Sequence, residues 1–302
     1  VSAPAPPMFA AIEAGGTKFV CGIGTGKGSL RTVTIPTRDP EATLADVEAF
    51  VDRAIDELGP LAAIGLGSFG PLDLDPVSPR YGQILATPKA GWQGTDMPER
   101  LGRRYGVPVG IDTDVNAAAL AEMRIHGVDS LAYVTVGTGI GAGIVVQGNS
   151  VRGLGHPECG HIAVRRHPAH AGFAGVCPYH GDCLEGLASG PALHAAWGMT
   201  AREIPEDHPA WEAQADYLAQ LCMTLILTSA PQRIVLGGGV MSQPFLLERV
   251  RAATLARLNG YCVQWDAAKA NEALLLPRSP EPSGLVGSYL IAEEAWRQSS
   301  KA

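Results

Sequence analysis

Twice along this chain a strand-length apolar run meets a Gly-Thr turn and is answered by a second such run. The first instance is Phe9–Ile12, Gly15-Gly16-Thr17 and Phe19–Ile23. The second is Leu131–Val136, Gly137-Thr138-Gly139 and Gly141–Val146. Short apolar runs joined across glycine read as hairpins, so the repeat predicts two lobes of similar topology, each opening on a glycine hairpin. Further strands are predicted at Leu30–Ile35, Ala62–Gly67 and Val107–Ile111. Leu44, Val47, Val51, Ala54, Ile55 and Leu58 fall on one helical face, which predicts a helix over Thr43–Leu58. Met97–Tyr105 and Val115–His126 read as helices too. In the second half, the strand Arg233–Leu236 leads through a third glycine turn, Gly237-Gly238-Gly239, to a helix over Pro244–Leu258. The segment Leu285–Trp296 is a helix with Leu285, Val286, Tyr289 and Leu290 on its apolar face, expected to return to the first lobe. Strands alternating with helices give an α/β protein. The expected division is a loose tail at 1–7, a small α/β lobe at 8–121 completed by the C-terminal helix in 285–302, and a large α/β lobe at 122–284.

Composition excludes several classes. Apolar residues make up 46% of the 302, enough for a buried core. The formal net charge is −7 and no run of Lys or Arg forms a stripe, so a nucleic-acid partner is not expected. Val1–Pro7 has neither the basic region nor the apolar core of a signal peptide. The longest apolar stretch, Tyr217–Ala230, carries Gln220, Thr224 and Thr228 and is too short to span a membrane. Six cysteines in a chain of this length do not make a disulfide scaffold. Cys21, Cys222 and Cys262 sit in apolar runs and are predicted to be buried thiols. A soluble cytoplasmic protein is expected.

The chemistry concentrates between His156 and Glu185. His161, Cys177, His180 and Cys183 carry metal-ligand side chains, interleaved with the carboxylates Glu158 and Glu185. Cys177 and Cys183 bracket His180, a spacing that reads as zinc ligation, while His156, Cys159, His167 and His170 are nearby alternatives. Four ligands leave no position for water, which is the structural type of zinc site. His161 would bind the metal through one ring nitrogen and present the other to a pocket, its tautomer fixed by the metal.

The three glycine turns suit polyphosphate, because glycine lets backbone N–H groups close on an anion. Thr17, Lys18 and Thr138 add hydroxyls and an ammonium. None of the turns is a Walker loop, and Gly137-Thr-Gly-Ile-Gly has the wrong spacing for a dinucleotide fingerprint. Asp114-Val115-Asn116 lies where a strand ends and a helix begins, the place where open α/β sheets collect ligands. Asp112 or Asp114 would serve there as helix N-cap, and Asp114 also as a base accepting a hydroxyl proton.

Glu13-Ala-Gly-Gly-Thr-Lys, Thr113-Asp-Val-Asn-Ala-Ala-Ala, Val136-Gly-Thr-Gly-Ile-Gly, Glu158-x-Gly-His and Cys177-x-x-His-x-x-Cys-x-Glu occur in this order. Together they resemble the ROK family (repressor, open reading frame, kinase) from Met8 onward. Thr87-Pro-Lys-Ala-Gly-Trp, His156-Pro-Glu and Cys-Pro-Tyr-His-Gly-Asp-Cys resemble its bacterial fructokinase branch. The resemblance implies an actin-like, ribonuclease-H-like fold of two lobes with ATP and sugar in the interlobe cleft. It implies transfer of the γ-phosphoryl of ATP to the 6-hydroxyl of a hexose, fructose first, with mannokinase and glucokinase activities as the alternatives. Asp114 then matches the catalytic base and, with Glu158, His161 and Glu185, contacts the sugar; Thr113, which stands where many members have Asn, is expected among the sugar ligands too. Gly15, Gly16, Thr17, Thr138 and Gly139 match the phosphate turns. Pro191 in the Ser189-Gly190-Pro191 turn, with Gly237, Gly238, Gly239, Val240 and Met241, matches the nucleotide end. His161, Cys177, His180 and Cys183 match the zinc ligands, with His180 where many members have Cys. Glu13 stands where many members have Asp near the magnesium ion, and ligation through water is expected. A homodimer is implied as well. A ROK-type regulator would need a helix-turn-helix domain ahead of Gly15, which only 14 residues precede. A zinc hydrolase would need an open metal position.

Overall fold

The computed structural model describes residues 6–26 and 28–301. Of the expected tail, residues 1–5 lie outside the described residues, and Pro6 and Pro7 have no regular structure.

In the first half, β2 (Lys18–Gly24) pairs antiparallel with both β1 (Phe9–Ala14) and β3 (Ser29–Pro36). After α1 (Pro40–Leu58) come β4 (Ala63–Ser68), α2 (Met97–Tyr105), β5 (Val109–Thr113) and α3 (Asp114–His126). β4 pairs parallel with β1, and β5 parallel with β4, giving the order β3-β2-β1-β4-β5. The second half repeats this plan with β6 (Leu131–Val136), β7 (Ile140–Val146) and the two-residue β8 (Asn149–Ser150) as the antiparallel part. The helices α4 (Leu184–Ala188), α5 (Gly190–Trp197) and α6 (Ala210–Ser229) intervene before β9 (Arg233–Gly237). Then follow α7 (Leu246–Leu258), α8 (Ala267–Ala273) and the two-residue β10 (Leu274–Leu275), with β9 parallel to β6 and β10 parallel to β9. The two sheets therefore share one strand order and one set of strand senses.

β1 shows why its sequence is apolar almost throughout. Side chains alternate between the faces of a strand. Ala10, Ile12 and Ala14 enter a core with Leu44, Val47, Phe50 and Val51 of α1. Phe9 and Ala11 face Leu285, Tyr289 and Ala292 of α9 (Ser283–Ser299). Glu13 falls on that same α9 side by the period of two. The last helix lies flush on the sheet because its neighbours lack side chains. A Cβ at Gly65 of β4 would stand 1.8 Å from the Ser288 carbonyl oxygen; Gly287 of α9 itself brings that helix equally close to α3, since a Cβ there would stand 1.7 Å from the Ala117 carbonyl oxygen. The Asp39 carboxylate caps α1 by accepting from the Ala42 N–H at 2.9 Å.

The contacts divide the chain into two units. One holds the residues through Ala121, Val151–His156 and those from Ser279 on; the other holds Glu122–Ser150 and Pro157–Arg278. Val151–His156, expected with the second lobe, thus belongs with the first, as do the residues from 279 rather than 285. β5 begins and ends two residues later than the sequence suggests, since Pro108 has no N–H to give to a ladder and only its carbonyl pairs, with Ile64. The helix expected from Pro244 starts at Leu246. Cys21 and Cys222 are buried, whereas Cys262 is only half-buried in the loop after α7. None of the helices described is long and apolar enough to cross a membrane.

Candidate functional site

The first unit carries Glu13, the turn after β1, and the start of α3. Gly15 N–H donates to the Lys18 carbonyl at 3.0 Å, closing the hairpin turn, and a Cβ on Gly15 would lie 2.7 Å from that same oxygen. Thr37 Oγ1 donates to the Gly15 carbonyl at 2.7 Å, and Lys89 Nζ donates to that of Gly16. Gly16, Thr17 and Lys18 are exposed, so their N–H, hydroxyl and ammonium groups are available to an anion.

Neither aspartate caps α3. Thr113 Oγ1 accepts from the Asn116 N–H at 3.1 Å, the hydrogen bond of an N-cap. Asp112, still in the strand, is fully buried and accepts from the Thr113 N–H and from Asn116 Nδ2, both at 2.8 Å. Asp114 is the first residue of the helix, half-buried, with Oδ1 accepting from the Val115 N–H at 2.9 Å. The Glu13 carboxyl is pushed up to about 7, first by burial and then by the Asp114 charge, against the pull of Lys18 and of the Leu285 N–H that donates to it. Its Oε2 is a buried oxygen with no protein partner. A negatively charged oxygen that lacks a donor is a fitting ligand for a hard cation.

The second unit carries the other glycine turns and the Cys/His cluster. Gly137 N–H donates to the Gly139 carbonyl at 2.9 Å, and Gly190 N–H donates to the Gly137 carbonyl at 2.7 Å. Pro191 is exposed in the first turn of α5, whose cap is Ser189. Gly238 has φ +91°, and a Cβ there would stand 2.4 Å from the Val136 carbonyl oxygen, so only glycine fits. Val240 and Met241 are buried, at 2% and 3% exposure. What they offer a ligand is backbone, as Gly237 and Gly239 do.

His161, Cys177, His180 and Cys183 converge, with one ligand atom from each within 4.8 Å of all the others. Cys177 Sγ lies 3.7 Å from Nδ1 of both His161 and His180, and Cys183 Sγ lies 3.5 Å from His161 Nδ1. Zinc bonds to sulfur and nitrogen in a tetrahedron put such atoms about 3.6 Å apart, so the donor set fits that ion. The hairpin holding two ligands is closed by hydrogen bonds in both directions between Cys177 and Gly181, at 3.1 and 2.9 Å. Burial pushes the Cys183 thiol up to about 11, so a cation taken up here displaces its proton. The alternatives point elsewhere: His156 Nε2 accepts from the Leu72 N–H, His167 Nδ1 accepts from the Ala169 N–H, and His170 is buried against Tyr217.

With Nδ1 of His161 at the cluster, Nε2 is its outward nitrogen. Glu158 stands just before the 3₁₀ turn Cys159–His161, which is pressed onto β7 at Gly160, where a Cβ would stand 1.7 Å from the Ile140 carbonyl oxygen. The Glu158 carboxyl is pushed up, by loss of water first and by the Glu185 charge, with His161 opposing. Sequence reasoning missed the anchor of Glu185. Its Oε2 accepts from the Ile140 N–H at 2.8 Å and fills the space a Cβ on Gly139 would need. The second glycine turn and this carboxylate are thus one unit, joined across residues far apart in the chain.

A family model described as ROK family matches residues 9–295. The chain belongs to the ROK family. Among its ROK relatives, a fructokinase from Pediococcus pentosaceus is 39% identical over 95% of this chain and 98% of its own length. One from Zymomonas mobilis is 41% identical over 94% and 96%. The crystal structure of a ROK hexokinase from Thermus thermophilus superposes with a TM-score of 0.78, at 30% identity, over 96% of this chain and 99% of that one. The two mixed sheets and their helices are the α/β two-lobe kinase fold of this family.

Proposed function

We propose that this ROK protein phosphorylates D-fructose at its 6-hydroxyl with ATP as the phosphoryl donor. The observation that carries the reading is Asp114: a chain so similar along its length to two fructokinases sets a carboxylate at the first residue of α3, on a strand end whose hydrogen bonds fix it. Asp114 accepts the hydroxyl proton as the sugar oxygen bonds to the γ-phosphorus and the bond to the ADP oxygen breaks. Positioning does most of the work in phosphoryl transfer, so a base with an ordinary affinity for protons suffices.

The Gly15–Thr17 and Gly137–Gly139 turns, with Lys18 and Thr138, hold phosphate oxygens in this reading. The backbone of Gly237–Met241 and the Pro191 turn take the nucleotide. Thr113, Glu158, His161 and Glu185 bind sugar hydroxyls. Glu13 would hold Mg²⁺, directly or through water, and when bound the ion would supply charge neutralisation at the phosphoryl oxygens. His161, Cys177, His180 and Cys183 hold Zn²⁺, which supplies a fixed anchor and no bond change. The ligand spacing supports this, and the metal then sets the orientation of His161 on the sugar side. The free thiols suit a reducing cytoplasm. A homodimer belongs to the same reading and is checked by light scattering.

The test is ADP release coupled to a reporter, with Mg-ATP and a panel of fructose, mannose, glucose and allose compared by kcat/KM. Fructose leads the panel if the reading is right. A higher kcat/KM for another hexose overturns the substrate, and no ADP release with any of them overturns the activity.

A further inference from the structure

Asp112 has no exposed surface, yet it carries a carboxylate. A buried carboxylate is costly unless paired and hydrogen-bonded. Its Oδ1 is occupied by the Thr113 N–H and Asn116 Nδ2. Its Oδ2 pairs at 2.6 Å with Nη2 of Arg152. Arg152 comes from Val151–His156, the short segment that belongs to the first unit although both its sequence neighbours belong to the second. The segment is fastened at its other end by His156 Nε2, which accepts from the Leu72 N–H at 3.0 Å. Asp112, Thr113 and Asn116 form a closed set of hydrogen bonds around the first turn of α3, and Asp114 projects from within it.

We propose that Arg152 is a positioning residue for Asp114: its guanidinium balances the buried Asp112 charge and so keeps the Thr113–Asn116 turn in the geometry that aims the base. This rests on Asp114 being the base. The Arg152 side chain is 39% exposed, so shortening it admits water to Asp112 instead of leaving an empty cavity. Water and an unbalanced anion then compete with the hydrogen bonds that hold Thr113 and Asn116.

Four full-length variants test this with fructose and saturating Mg-ATP: Arg152→Ala, Arg152→Lys, Asp112→Asn, and the double variant Arg152→Ala/Asp112→Asn. Misplacing a catalytic group by about 1 Å costs on the order of 10²-fold, so Arg152→Ala is expected to lower kcat by that order. Fructose KM should rise far less than kcat falls, since Thr113 is one sugar contact among several, whereas misplacement of the base is felt in the transition state and appears in kcat. Arg152→Lys restores at least about tenfold, because the pairing uses one N–H and a point charge replaces it. Asp112→Asn restores turnover in the Arg152→Ala background, because a neutral amide needs no counter-ion. The lysine and double variants keep the test decisive if Arg152→Ala folds poorly. Wild-type kcat in Arg152→Ala overturns the proposal. So does a loss accompanied by a proportionate rise in KM, or one that neither lysine nor Asp112→Asn recovers. Asp114→Asn, measured alongside, reads the underlying assignment separately: near-normal turnover there refutes the base itself, whereas lost turnover there with an unaffected Arg152→Ala refutes this inference alone.

Discussion

Replacing Glu13 with Gln is expected to change how stability depends on pH. The ordinary carboxyl value of 4.5 rises to about 7 in the folded protein, chiefly by burial and then by Asp114. Below 4.5 both the folded and unfolded chains hold the proton, and burial of this side chain costs no charge. As pH rises toward 7 the unfolded chain ionises freely while the folded one resists. The stability present in acid is therefore lost across that window, and above about 7 the folded protein carries a buried anion. The shift of about 2.5 corresponds to about 3 kcal/mol in all, at 1.36 kcal/mol for each pH unit. Roughly 1 kcal/mol of this is already lost at pH 5, which leaves about 2 kcal/mol between pH 5 and pH 8. Glutamine stays neutral throughout. Urea unfolding of both proteins at the two pH values, without magnesium or nucleotide, gives two stability differences from which groups unaffected by the change drop out. Glu13→Gln should gain on the wild type by about 2 kcal/mol from pH 5 to pH 8. A gap that is the same at both pH values, or that moves the other way, refutes the argument.

Asp114→Asn should cut kcat about 10²–10⁴-fold, the usual contribution of a general base, with fructose affinity by calorimetry little changed. Cys177→Ala should lose the bound metal by elemental analysis and weaken fructose binding with it; lost metal with unchanged affinity and turnover would separate the cluster from the sugar wall. Gly160→Ala places a Cβ 1.7 Å from a backbone oxygen, so the turn carrying Glu158 and His161 has to move. Its melting temperature and fructose affinity should both fall, and an unchanged affinity would show that the turn does not shape the sugar site.

Most of the first lobe was legible because its elements carry their own signals. α2 spans the expected Met97–Tyr105, between the Asp96 cap and Gly106. The paired Gly-Thr hairpins announced two sheets of one plan, and the sheets share strand order and sense. The Cys/His cluster was legible because three of its members lie within seven residues, and the coordinates were needed to choose among the neighbouring histidines. What escaped depends on long-range contact. β8 and β10 are two residues each, too short to hold a periodic pattern. The cap of α3 was assigned to an aspartate by composition, whereas the threonine between the two aspartates holds it, because Asp112 is turned inward to Asn116 and Arg152. Nothing local in the sequence pairs Glu185 with Ile140 or Arg152 with Asp112. Those contacts exist only once strands from distant segments align.

The placement of α9 has a consequence for the order in which the protein is made. Phe9, Ala11 and Ala63 are covered by Leu285, Tyr289 and Ala292, which are translated only after every strand of both sheets. Domains emerging from the ribosome usually fold in the order they are synthesised. Here the first sheet must wait with one face bare until α9 has left the exit tunnel, while the second sheet has its final strand, β10, before α9 begins. The earlier half of the polypeptide is thus the later to be completed. Any nascent chain halted before Ser283 carries an uncovered apolar sheet face, the kind of surface that chaperones bind.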